Sequence, residues 1–218
     1  MSIRVLLADD HTIVREGIRA LLNRKPDIEV VAEAESGRMA LQMAPEVMPD
    51  VIVMDVSMPD LNGIEATRQL IAALSDVKVI ALSMHSDSRL VVEMLNAGAS
   101  GYLLKDCAFE ELEAAIYAVM NGQFYLSPRI AKNVIEYYKG LDLPLDKSNV
   151  FSVLTVRERE VLQLLAEGKH AKQIASYLQV SPKTIETQRR RIMKKLNIKS
   201  IAELTKLAIR EGLTALED

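Results

Sequence analysis

Between Asp50 and Asp55 the chain runs Val-Ile-Val-Met, four apolar residues bounded by acids. Such a run fits a short strand buried on both faces, the condition of a central strand in a parallel sheet. It delivers Asp55 to the strand's carboxyl end, the edge at which open α/β sheets hold their ligands. An acid after a strand is ordinarily a turn or helix-cap residue. The weight of Asp55 therefore depends on what else reaches the same edge.

The flanking sequence supplies the rest of the sheet. Ile3 to Ala8 is a β-branched and aliphatic run ending in Asp9-Asp10. Ile13, Ile18, Leu21 and Leu22 then recur at near-helical spacing, and Ile28 to Ala32 is a second strand. Gly37 to Ala44 is a helix that Pro45 closes. Asn62-Gly-Ile-Glu65 has capping-box character and opens a helix over Ile64 to Leu74. Lys78 to Leu82 is a strand ending at Ser83, Asp87 or Ser88 caps a helix to Asn96, and Gly101 to Lys105 is a fifth strand. Glu110 to Met120 completes the alternation. This pattern predicts a doubly wound α/β domain over residues 1–122, with a five-stranded parallel sheet in the order 2-1-3-4-5. That order brings Asp9, Asp10, Asp55, Ser83 and Lys105 to one crevice.

Carboxylates gathered at one point repel one another and persist at neutral pH only with a cation or a retained proton. Hard carboxylate oxygens with no His or Cys nearby favour Mg²⁺, which keeps waters and bridges to phosphate oxygens. A lysine opposite supplies a point charge for a phosphoryl group, and Ser83 a hydroxyl. The reaction this set suits is attack by a carboxylate on an incoming phosphoryl group, giving an aspartyl phosphate. The competing reading is a structural acid cluster neutralised by lysines. Convergence from separate strand ends argues against it.

With Asp9-Asp10, Asp55, Met58-Pro59, Gly63, Ser83, Tyr102 and Lys105 in place, the first ~120 residues resemble the receiver domain of bacterial two-component response regulators. The resemblance implies that Asp55 is the phosphoacceptor, assisted by Ser83 and Lys105, and that Ser83 and Tyr102 form the switch pair. It implies Mg²⁺ bound by Asp10 and Asp55 directly, by Asp9 through water and by the Ser57 backbone carbonyl. Asp106 follows the lysine, where many receivers have proline.

Residues 123–150 are expected to be a connector, with a helix over Pro128 to Tyr138 and a flexible linker from Gly140 to Asn149. Residues 151–218 are expected to form a small all-α domain. Thr155-Val-Arg-Glu158 and Ser200-Ile-Ala-Glu203 are both read as capping boxes. Gly168 ends the first helix, Ala171 to Leu178 is a short second one, and Ser181-Pro182 opens a third that reaches about Leu196. Two short helices about a tight turn make a helix-turn-helix. The third helix carries Lys183, Arg189, Arg190, Arg191, Lys194 and Lys195 against Glu186 alone, with Ile185, Ile192 and Leu196 available to face inward. Such a helix can enter a DNA major groove. The alternative is a solvated basic face.

The stretch from Thr155 to about Leu213 resembles the helix-turn-helix output domain of the LuxR/FixJ/NarL family. The resemblance rests on Leu154-Thr155-x-Arg157-Glu158-x-Glu160-Val161-Leu162, Gly168, Ile174-Ala175, Ser181-Pro182-Lys183-Thr184-Ile185 and Lys194-Lys195-Leu196. It implies base contacts by Glu186, Thr187 and Arg190. Lys183, Thr184, Arg191 and Lys194 are expected at phosphates, and the last helix at a dimer interface.

Charge is divided in keeping with two modules. From Ser148 onward there are 13 basic and 8 acidic residues, against 14 and 22 before it. A single cysteine, Cys107, excludes an internal disulfide and a Cys-based zinc site. Aromatic content of 4% without Trp argues against a carbohydrate-binding protein. The sequence shows no signal peptide and no apolar run near the ~20 residues of a membrane span. The expected protein is cytoplasmic, independent of membranes and not an enzyme. It takes a phosphoryl group from a sensor histidine kinase, binds double-stranded DNA, and forms a homodimer when phosphorylated or on DNA. Two rivals stand beside it. One is an aspartate-nucleophile phosphatase, whose Asp-x-Asp pattern is missing because Val56-Ser57 follows Asp55. The other is a phosphorylation-independent DNA binder with a vestigial receiver.

Overall fold

The computed structural model describes residues 2–84, 86–106, 108–139 and 150–214. The chain divides into two units, Met1–Asp142 and Leu143–Asp218. In the first, strands β1 (Ile3–Ala8), β2 (Ile28–Ala34), β3 (Val51–Asp55), β4 (Lys78–Ser83), β5 (Gly101–Leu104) and β6 (Tyr125–Leu126) form one sheet in the order β2-β1-β3-β4-β5-β6. Every pairing is parallel. Helices α1 (Thr12–Leu22), α2 (Gly37–Val47), α3 (Gly63–Ala73), α4 (Ser88–Asn96) and α5 (Ala108–Met120) connect the strands, and α6 (Pro128–Lys139) follows β6.

All five positions of β3 are buried, as an uninterrupted apolar run requires. Ile52 and Met54 join Ala40, Ala44, Leu70, Val91 and Met94 of α2, α3 and α4 on one face. Val51 and Val53 join Ile18, Leu22, Leu112 and Ile116 of α1 and α5 on the other. Each large aliphatic side chain so buried contributes about 1.5–3 kcal/mol of transfer free energy. Gly63 lets α3 begin directly against β3, since a Cβ there would stand 2.0 Å from the Asp55 carbonyl oxygen.

Several local expectations are corrected. The sheet has a sixth strand, whose two residues are too few to show a periodicity. Helix α2 continues to Val47 with Pro45 inside it. Proline in the last turn removes one backbone donor without stopping the chain. In α1 the inward positions are Arg15, Ile18 and Leu22, while Ile13 is 86% exposed. The helix expected at Pro128 is present and packs against its own unit, with Ile130 fully buried in the α2–α4 core. The expected linker over 140–149 lies outside the described residues.

In the second unit a 3-10 turn (Val150–Val153) precedes α7 (Val156–Ala166), α8 (Ala171–Tyr177), α9 (Pro182–Lys195) and α10 (Ile201–Arg210). Their core joins Leu162, Ile174, Ile185, Ile192 and Leu204. Thr155 and Glu158 make both bonds of a capping box, at 3.2 and 2.9 Å. The second expected box is only half present. Ser200 accepts from the Glu203 amide, but the Glu203 carboxylate turns to the Lys199 amide. Between α8 and α9 the chain turns through Gln179 at φ 53°, and Arg157 Nη2 donates to the Leu178 carbonyl at 2.8 Å.

Candidate functional site

The parallel order aligns the carboxyl ends of β1, β3, β4 and β5, and the polar groups that follow them meet there. Lys105 Nζ lies 2.7 Å from Asp55 Oδ2 and 2.8 Å from Asp9 Oδ2. Both acids and the lysine are buried. Asp55 Oδ1 accepts from the Ser57 amide at 3.1 Å. Burial pushes the Asp55 carboxyl up to about 7; Lys105 opposes this and the charge of Asp9 adds to it. Burial alone would lower the Lys105 ammonium, but Asp55 and Asp9 together hold it above its ordinary value. Ser83, at the end of β4, is buried and hydrogen-bonded to Tyr102, whose hydroxyl burial pushes up to about 12.

Two residues at this edge were not anticipated. The His11 ring is largely exposed, yet its Nδ1 lies 3.2 Å from Asp9 Oδ1, 2.9 Å from Asp10 Oδ1 and 3.5 Å from Lys105 Nζ. Its position directly after the acid pair was the available signal. Arg15 is buried under the β1–α1 loop. It donates to the Asp9 carbonyl at 2.6 Å and pairs with Glu35 at 3.1 Å and Glu33 at 3.4 Å. It thereby fixes the backbone that carries Asp9. An arginine spaced like a core residue gave no sequence sign of this.

Asp9, Asp10, His11 and Asp55 each offer a ligand atom, all within 4.8 Å of one another. Asp10 Oδ1 is buried and accepts no well-directed hydrogen bond, although His11 Nδ1 stands beside it. An orphaned carboxylate oxygen facing two further acids fits a hard divalent cation.

On the second unit, Ile185 and Ile192 of α9 turn inward. Lys183, Thr184, Thr187, Arg190, Arg191 and Lys194 are exposed, and their spacing places Lys183, Thr187, Arg190, Arg191 and Lys194 along one side. Three of the candidate DNA contacts, two expected at bases and Thr184 at phosphate, carry internal bonds. Glu186 pairs with Arg189 at 2.7 Å. Thr184 meets Ser181 Oγ through its amide at 3.1 Å and its hydroxyl at 2.9 Å. Thr187 Oγ1 donates to the Lys183 carbonyl at 2.9 Å.

A parallel sheet with an acid–lysine crevice, joined to a basic helix-turn-helix, defines a receiver coupled to a DNA-binding module. Comparison with known proteins agrees. Residues 5–117 match the response regulator receiver domain, and residues 152–208 match the bacterial regulatory proteins of the luxR family. Response regulator UvrY of Escherichia coli is 39% identical over 219 residues, covering 99% of this chain and 97% of that protein. Response regulator GacA of Pseudomonas protegens is 40% identical over 211 residues, covering 97% of each. Among solved structures, RcsB from Salmonella enterica serovar Typhimurium, bound to a promoter in the presence of a beryllofluoride phosphomimetic, superposes with a TM-score of 0.61 at 27% identity. That match covers 98% of this chain and 100% of RcsB. The chain belongs to the NarL/FixJ family of response regulators, phosphorylation-controlled transcription regulators with a LuxR-type DNA-binding domain.

Proposed function

We propose that Asp55 is the residue that accepts the phosphoryl group, from the phosphohistidine of a sensor kinase, and that α9 reports the modification to double-stranded DNA. The observation that carries this reading is the contact of Asp55 Oδ2 with Lys105 Nζ inside a buried acid cluster. An Asp55 carboxylate oxygen attacks phosphorus; the new O–P bond forms as the P–N bond breaks, and the imidazole leaves with a proton. Lys105, already held as an ammonium, supplies counter-charge to the phosphoryl oxygens.

Asp9, Asp10, Asp55 and the Ser57 carbonyl would hold Mg²⁺, with His11 at the rim. When bound, the ion offsets the negative charge that gathers on the phosphoryl oxygens. The modification adds about −1.5 to −2 charge. Ser83 then turns its hydroxyl from Tyr102 to a phosphoryl oxygen, and Tyr102 repacks.

At the other end, Arg190, Thr187 and Glu186 read base edges while Lys183, Thr184, Arg191 and Lys194 contact phosphates. For Glu186 this requires release from Arg189. The chain works in the cytoplasm as a homodimer when phosphorylated or on DNA, which suits two half-sites. No helix among the described residues is long and apolar enough to cross a membrane. Gel-shift selection from random DNA, with and without beryllofluoride and Mg²⁺, tests the whole reading. A sequence enriched more strongly with the phosphomimetic supports it, and equal enrichment in both conditions contradicts it.

A further inference from the structure

Helix α6 lies against α4 and is fastened at both ends of the switch region. The Ser127 amide, just before α6, donates to the Tyr102 carbonyl at 3.2 Å. One turn into the helix, Ile130 is fully buried in the cluster that contains Tyr102 and Met94. Asn133 then makes two bonds to the segment that follows β4. Its Nδ2 donates to the Ser86 carbonyl at 3.2 Å, and its backbone carbonyl accepts from Ser88 Oγ at 3.1 Å. Ser86 and Ser88 stand only three and five residues beyond Ser83. Helix α6 is also the last described element before the helical unit.

We propose that Asn133 is a clasp holding α6 in the unmodified state, and that movement of Ser83 toward a phosphoryl group on Asp55 opens it. The inference rests on the phosphorylation of Asp55 proposed above. A ligand or modification shifts a two-state element only through contacts that differ between the states. The two bonds of Asn133 are such contacts, because their partners lie on the segment that must follow Ser83, whereas Ile130 is held by apolar packing in the cluster with Tyr102 and Met94. Loss of one ordinary hydrogen bond changes such an equilibrium roughly two- to tenfold.

The test uses the full chain and a DNA fragment selected from random sequence with the wild type. DNA affinity is measured before and after acetyl phosphate with Mg²⁺, with phosphoryl incorporation followed on the same samples. Hydrogen exchange of residues 128–139 is followed in parallel. Asn133→Ala and Ser88→Ala each remove one bond of the clasp. Both are expected to incorporate phosphoryl groups as the wild type does, to bind DNA roughly two- to tenfold more tightly before modification, and so to gain less from it. Exchange in α6 should be faster in both variants, and in the modified wild type. Full incorporation with an unchanged affinity gain in both variants overturns the clasp, as does a gain reduced because the modified form binds less well. Failure of the wild type to take up a phosphoryl group overturns instead the reading on which the clasp rests.

Discussion

Asp55 Oδ2 and Asp9 Oδ2 flank the same lysine nitrogen, at 2.7 and 2.8 Å. One buried ammonium thus bridges two buried carboxylates, with the Asp10 carboxylate beside them. Breaking a buried ion pair by removing one partner is strongly destabilising, because the charges left behind have neither water nor a counter-ion. Lys105→Met should therefore destabilise the receiver by roughly 3–5 kcal/mol in EDTA. Mg²⁺ should recover part of the loss. Urea unfolding of the two proteins, with and without Mg²⁺, reads both effects, and coincident curves in EDTA would refute the bridge.

The Asp55 carboxyl itself gives a pH dependence. Its folded value, about 7, lies above the ordinary 3.8, so the folded state holds the proton more tightly than the unfolded chain. Below the ordinary value both states are protonated and the group has no effect. Stability then falls as pH rises toward about 7, beyond which the full loss is present. Asp55→Asn removes this loss. In EDTA its advantage over the wild type should be absent near the ordinary carboxyl value and grow to roughly 1–3 kcal/mol at neutral pH. Thermal unfolding across pH checks the trend, and a pH-independent difference would contradict it.

Glu158 behaves in the opposite sense. Burial works against its charge, but Lys195 at 2.6 Å and the Thr155 amide outweigh this and hold its carboxyl below the usual range. Its contribution is present above the unfolded pKa and is lost as pH falls through the folded one. Glu158→Gln can still cap α7 but cannot pair with Lys195. The substitution should destabilise the helical unit by about 0.5–1 kcal/mol at neutral pH and by progressively less in acid. A loss that persists at low pH would assign the effect to the cap and not to the charge.

Arg190→Ala should weaken binding to the selected DNA by roughly 1–3 kcal/mol and relax sequence choice. Lys194→Ala should weaken all sequences alike and flatten the salt dependence of binding. Binding profiles at several salt concentrations separate the two roles. An unaltered salt slope for Lys194→Ala removes it from the phosphate contacts, and an unaltered sequence profile removes Arg190 from the readers.

The sheet was legible because β3 is apolar at every interior position and because polar residues punctuate each strand end. Asp9, Asp55, Ser83 and Lys105 could be placed together from strand order alone, since a parallel sheet puts all carboxyl ends on one edge. What escaped were features fixed by tertiary contact. Arg15 occupies a core position of α1 because the Asp9 carbonyl and two glutamates meet it there, a compensation that no local pattern encodes. Strand β6 exists because Tyr125 and Leu126 find the open edge of β5. Helix α6 was expected over Pro128 to Tyr138, but its bonds to the Ser86 carbonyl and Ser88 Oγ come through Asn133, a residue with no signature of its own. The starts of α7, α9 and α10 were legible because Thr155, Ser181 and Ser200 mark them.

The central claim is that one carboxyl oxygen in the crevice stores the signal. Full-length wild type and Asp55→Asn should be incubated with acetyl phosphate and Mg²⁺, and the intact chains weighed by mass spectrometry. One added phosphoryl group on the wild type, absent from Asp55→Asn and from wild type in EDTA, is the predicted result. Equal incorporation into the Asp55→Asn chain would contradict it.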